Sequence, residues 1–198
     1  MIRTMWVPLL ATALLGGCQG APSPREYRVN EVPSSLAPAV ADADSTIARL
    51  QRRLGARLKA GVESKGVVVA VAVCRDSAQF MTAEIVERQV AGIAVGRTSH
   101  RLRNPGNAPR PWARSYVAGI APGAKAADYA PVVVDLGDRV GLLRPIDTAA
   151  LCVRCHGMAD SLAPDLASAL REAYPEDQAL GFAEGDLRGY FWAEAPKR

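Results

Sequence analysis

Near its C-terminal third the chain reads Leu151-Cys152-Val153-Arg154-Cys155-His156-Gly157. Two cysteines three apart, with a histidine directly after the second, admit three chemistries, and each sets a different demand on the fold. As the attachment signature of a c-type haem, the segment must be a helical turn. Thiols three apart on such a turn reach the two vinyl groups of one porphyrin, and the adjacent imidazole points at the iron. As a redox dithiol, it should open a helix after a βαβ pattern, and no strong βαβ pattern leads into Leu151. As part of a zinc site, Cys74, Cys152, Cys155 and His156 would form a Cys₃His set, for which the adjacency of Cys155 and His156 is awkward.

The N-terminus favours the haem reading. MIRTMWVPLLATALLGGC carries one arginine, a short apolar stretch from Met5 to Leu15 and then small residues. That is a secretory pattern, too short for a membrane span. Leu15-Gly16-Gly17-Cys18 resembles a bacterial lipobox, so residues 1–17 are expected to be a lipoprotein signal peptide and Cys18 the lipidated first residue of the mature chain. Residues 18–41, rich in Pro, Ser and Ala, are expected to be a flexible tether. The folded domain is then expected to span 42–198. Gln19 stands where many bacteria place an inner-membrane retention Asp, which mildly favours the outer membrane. The formal charge of +4 is scattered, with no run of five or six basic residues, so nucleic acid is not an expected partner.

Export places the chain in an oxidising compartment. Of its four cysteines, Cys18, Cys74, Cys152 and Cys155, lipid accounts for one and a haem for two. Cys74 is left over, and a haem iron has a second axial position to fill.

Hydrophobic spacing predicts a helix over 44–63, from Ile47, Leu50, Leu54, Leu58 and Val62, with Asp44 and Ser45 as caps and Gly66 as its stop. The following stretch begins like a strand, yet Val67, Val71, Cys74, Ala78, Met81 and Ile85 form a stripe at intervals of four and three. That favours a helix with Cys74 on its buried face. A strand is expected at 92–99, a turn-rich segment to Trp112 and a short helix at 112–120. A hairpin turning near Gly137-Asp138, a helix at 161–173 and a last strand over 186–194 complete the pattern. Helices followed by a meander of strands predict one α+β domain. Asp177 and Asp186 read as turn and cap residues.

With His156 as one axial ligand, the residues leave the opposite ligand open among Cys74, His100, Met81 and an empty position. Met158 stands too close to His156 to reach the other face. Methionine would raise the reduction potential, and a thiolate would lower it.

Several stretches together resemble a known family: Ala72-Val73-Cys74, Arg97-Thr-Ser-His-Arg-Leu-Arg-Asn-Pro-Gly-Asn107, Arg144-Pro-Ile146, the Cys-x-x-Cys-His segment, Tyr174-Pro-Glu-Asp-Gln-Ala-Leu-Gly-Phe182 and Gly185-Asp-Leu-Arg-Gly189. It is a family of single-haem c-type domains with a PAS-like fold, found alone or as the exported sensing part of histidine kinases and related proteins. The resemblance runs from about residue 44 to the end. It implies an antiparallel PAS-like sheet behind the N-terminal helices and one haem held through Cys152 and Cys155. It also implies axial ligation by His156 and by a cysteine that maps onto Cys74. Family members often carry Glu after the tryptophan of the Asn-Pro loop. Here Trp112 is followed by Ala113, so a polar contact is expected to be missing. Arg97, Arg103 and Asn104 are the candidate contacts to the haem edge. At least one of the two arginines should pair with a propionate, while Asn-Pro often only shapes a turn.

The expected function is that of a periplasmic, membrane-anchored c-type haem protein, acting as a redox or small-ligand sensor or a low-potential electron carrier. Its partner would be a separate redox or signalling protein. A peroxidase-like enzyme would need an open distal face and a nearby acid or base, for which His100 is the candidate.

Overall fold

A computed structural model describes residues 24–87 and 92–198. The expected signal peptide and Cys18 lie outside the described residues. Strand β1 (Arg25–Arg28) is followed by helix α1 (Ala37–Ala72), a π-type turn (Val73–Ser77) and helix α2 (Ala78–Glu87). Then come β2 (Ala94–Thr98), short 3-10 turns at Pro105–Asn107 and Pro111–Ala113, and α3 (Arg114–Ala118). Strands β3 (Val132–Asp135) and β4 (Arg139–Asp147), helices α4 (Ala150–His156) and α5 (Pro164–Ala173), and strand β5 (Leu187–Pro196) complete the chain. The five strands form one sheet in the order β1-β3-β4-β5-β2, and every pairing is antiparallel. The expected α+β class holds.

The domain begins earlier than expected, and the tether assignment is corrected for residues 25–41. Arg25 to Arg28 pair with β3 at the sheet edge. Leu36, Ala39, Val40 and Ala43 are buried, continuing the stripe of Ile47 and Leu50. Pro38 suggested a linker, but it occupies the first turn of α1, where a missing N–H costs nothing. Asp44 and Ser45 therefore lie inside the helix. Asp44 pairs with Arg144 rather than capping.

Gly66 interrupts α1 as expected, with φ 78° and ψ 172°, a conformation open to glycine at little cost. The stretch after it is helical, and the π-type turn carries Cys74. The axes of α1 and α2 differ by 56° across that turn, and no single helix among the described residues is long and apolar enough to cross a membrane. The hairpin forms where expected, with Gly137 at φ 95° and its N–H donating to the Asp135 carboxylate at 2.9 Å.

The sheet is covered on both faces. Against one face α1 packs Ile47 and Leu50, meeting Val95, Val133, Val140, Leu142, Ala193 and Ala195. Against the other, Ala113, Val117 and Ile120 meet Leu143, Leu187 and Tyr190. Leu50 is fully buried in the first layer, so Leu50→Ala should lower stability by about 3 kcal/mol through lost transfer energy and a residual cavity. Chemical unfolding of the two proteins checks this.

Candidate functional site

Helix α4 carries the motif, with the Cys152 N–H bonded to the Ala149 carbonyl at 2.8 Å. A side chain at Gly157 would lie 2.6 Å from the Val153 carbonyl, so only glycine lets the helix close there. The three carbonyls at this helix end are all satisfied by other segments. Arg103 donates to Cys155 at 2.6 Å, the Phe182 N–H to His156 at 2.9 Å and the Gly181 N–H to Gly157 at 2.8 Å.

Cys152, Cys155 and His156 face a cavity of about 290 Å³ enclosed by α1, α2, α4, α5 and one end of the sheet. Cys74, from the π-type turn, lines the same cavity, as do Met81, Arg97, Arg103, Tyr174 and Arg188. Leu58 and Val62 of α1 and Phe191 of β5 supply apolar wall.

The histidine is oriented through its other nitrogen. Nδ1 lies 2.7 Å from the Ala179 carbonyl. A carbonyl only accepts, so Nδ1 carries the proton and the lone pair is on Nε2. Burial, then Arg188 and Arg103, push the imidazole well below its ordinary range, against the opposing Ala179 bond. The ring is neutral, the form that ligates a metal. Phe182 meets it edge-on, with centroids 6.3 Å apart.

Burial pushes the Cys74 thiol up, while Arg97 and Arg103 pull it down. Burial also raises Cys155, the opposite of an activated dithiol. Cys74, Cys152 and Cys155 are all free, and the sheet has no parallel pair to build a βαβ unit. Among the described residues no three His, Cys, Asp or Glu side chains are grouped to hold a metal ion, which leaves the Cys₃His arrangement without support.

The expected contacts divide. Arg97 reaches the cavity wall, half-buried; burial lowers its affinity for the proton, and Cys74 and Tyr174 face it. Its guanidinium makes no hydrogen bond or ion pair to any described residue. Arg103 also lines the cavity, but its donors are engaged by protein: Nε on Asp177 at 2.9 Å, and Nη2 on Cys155 and, at 3.3 Å, Ala179. Asn104 is corrected. It does not line the cavity, and its side chain caps the turn at Pro105–Asn107 by accepting the Gly106 N–H at 2.8 Å.

His100 opens on a different cleft, with Ser99, Arg114 and Gln178. It is placed neither as an axial ligand nor as an acid or base for the first cavity. Burial, then Arg101 and Arg188, bring its imidazole down to about 4. Met158 is exposed and lies outside the cavity.

Arg188 is the cavity residue that sequence reasoning did not single out. Phe191, Ala193 and Ala195 of β5 face α1. Strict alternation would put Arg188 on the opposite face, beside Tyr190. The register shifts opposite Ile146 and Asp147, and Gly189 takes φ 144°. This bulge sends Leu187 to the far layer and turns Arg188 into the cavity. Burial, then Arg103 and Arg97, bring Arg188 down to about 9. The missing polar contact after Trp112 is explained. Ala113 is fully buried among apolar groups, and the carboxylate reaching Trp112 Nε1, at 2.8 Å, belongs to Glu194.

The crystal structure of the cyanobacterial heme-protein Tll0287 is similar in fold, with a TM-score of 0.57 at 23% identity, over 84% of this chain and 98% of that one. No curated protein matches. The model of the Tll0287-like family matches residues 24–196, nearly the whole described domain, and the chain belongs to that family.

Proposed function

We propose that this protein holds one c-type haem, bound covalently through Cys152 and Cys155, with His156 Nε2 and the Cys74 sulfur as axial ligands. One observation carries the reading: Cys74 lines the same largely apolar cavity as Cys152, Cys155 and His156. The donor chemistry fits. Two free thiols stand three apart on one helical turn, the imidazole is neutral with Nδ1 engaged, and a third thiol lies on the same cavity. The similar cyanobacterial structure is a heme-protein, which supports the assignment. Arg97, whose guanidinium has no hydrogen bond or ion pair among the described residues, suits a haem propionate, and Arg188 adds a second positive charge to the wall.

Such a haem would supply a one-electron couple, lowered in potential by a thiolate ligand. We take the protein to be a periplasmic lipoprotein anchored through Cys18, sensing redox state or a small ligand or carrying electrons at low potential, with a separate protein partner. Cys74 is the switch element of that reading, because a thiolate can protonate, oxidise or leave.

Visible spectra of wild type and Cys74→Ala, oxidised and reduced, test it. Wild type should show a low-spin Soret band, and the variant a shifted band or a changed spin state. A Met81→Leu variant should match wild type. A wild type without a Soret band overturns the haem assignment. A Cys74→Ala spectrum identical to wild type overturns the thiolate ligand and the switch.

A further inference from the structure

The segment from Asp177 to Phe182 lies against the end of α4 and is held there by a buried ion pair. Arg103 and Asp177 are 10% and 9% exposed, and among the described residues no other carboxylate bonds to Arg103. Asp177 does two things at once. Its Oδ2 accepts from Arg103 Nε, and its Oδ1 accepts the Ala179 N–H at 2.8 Å. The Ala179 carbonyl on the same residue accepts His156 Nδ1–H and, more distantly, Arg103 Nη2. Arg103 completes the circuit at the Cys155 carbonyl, one residue before the histidine. The guanidinium also lies over the Tyr174 ring, 5.8 Å from its centroid.

We infer that Arg103 and Asp177 are a positioning pair for His156: together they lock the Ala179 carbonyl that sets the imidazole's tautomer and plane, and their balanced charges set how strongly that imidazole donates to a metal. This rests on the haem reading of the cavity. The second hydrogen bond of a ligating histidine fixes its orientation and its basicity. A carbonyl shared with a guanidinium draws less on the Nδ1–H, and Asp177 offsets that charge. Both residues are far from Cys155 in sequence, and neither donates to the iron. Arg103 is therefore assigned to the histidine, and the propionate role stays with Arg97.

The test uses the full chain carrying Asp177→Asn, or Arg103→Lys. Asp177→Asn keeps an acceptor for the Ala179 N–H but leaves Arg103 uncompensated beside His156. The oxidised-to-reduced ratio at fixed potential should fall at least threefold, which is about 28 mV upward at 59 mV per tenfold for one electron. Arg103→Lys keeps the charge and loses the fork, so the low-spin EPR g-values should spread or split as the ring loses one fixed plane. Unfolding is measured beside both. Lowered stability with wild-type potential and wild-type g-values overturns the inference, because a merely structural pair would behave so.

A wild type without a Soret band sinks the haem reading instead. The Nδ1 proton of His156, followed by nitrogen-detected NMR in the same chain, then decides. Loss of the Nδ1–H tautomer or faster exchange in Asp177→Asn supports the pair, and no change overturns it.

Discussion

Changing both Cys152 and Cys155 to alanine is expected to abolish haem staining on a denaturing gel, with the protein still folded. In the proposed site the thioethers would survive denaturation, whereas bonds from His156 and Cys74 to the iron would not. Either single variant should retain one thioether and a weakened stain. Both side chains are only partly buried, and Cys155 merely edges the small cluster of Val71, Leu166, Leu170 and Tyr174. The loss of packing should therefore be about 1 kcal/mol. A double variant that stains like wild type would refute attachment through Cys152 and Cys155. A double variant that no longer unfolds cooperatively would show that the thiols are needed for the fold itself, which their shallow burial argues against.

The second expectation concerns Glu194, which does not line the cavity. Its carboxylate is 9% exposed and takes Arg110 at 2.7 Å, Trp112 Nε1 at 2.8 Å and, more distantly, Arg139 at 3.9 Å. Trp112 reaches it by lying flat on Gly141, where a Cβ would come within 2.9 Å of the indole. Glu194→Ala leaves two cations and an indole N–H without their shared acceptor. Arg110 is nearly half exposed, so water recovers part of the loss, and the cost should be about 2–3 kcal/mol. Glu194→Gln should cost about 1 kcal/mol, because an acceptor for Trp112 remains.

The same group predicts a pH dependence. Burial raises the Glu194 carboxyl, but bonds from Arg110 and Trp112 outweigh it and leave the folded value below the ordinary 4.5. A carboxylate depressed in this way stabilises fully above its unfolded value, and its contribution is lost as pH falls through the folded one. Wild type should thus lose stability over that acid window, and Glu194→Gln should lose less. Equal acid slopes for the two proteins would remove Glu194 from the explanation.

Local geometry was readable without the fold. The i, i+3 spacing of Cys152 and Cys155 puts both thiols on one side only if the segment is a helical turn, and α4 forms there. The stripe from Val67 to Ile85 outvoted a β-branched start, and the segment is helical because Val71, Ala78 and Ile85 bury one face. Gly66 and Gly137 mark breaks because their backbones turn to positive φ. The start of the domain was misread for a reason equally local. A proline in the first turn of a helix and a proline in a linker look the same until the buried face of Ala39, Val40 and Ala43 is seen.

The proposed site was legible in Cys152, Cys155, His156 and Cys74, which the fold brings to one cavity, and much less so in its arginines. Residue types and intervals carry the chemistry of attachment, because thiols and imidazole act over one turn of chain. Which arginine serves which anion carries no interval. Arg103 meets Asp177 across the fold, Asn104 turns away to cap its own loop, and one bulge beside Gly189 reverses the face on which Arg188 emerges. Those outcomes depend on strand register and long-range pairing, where a shift of one residue moves a charge from one side of the sheet to the other.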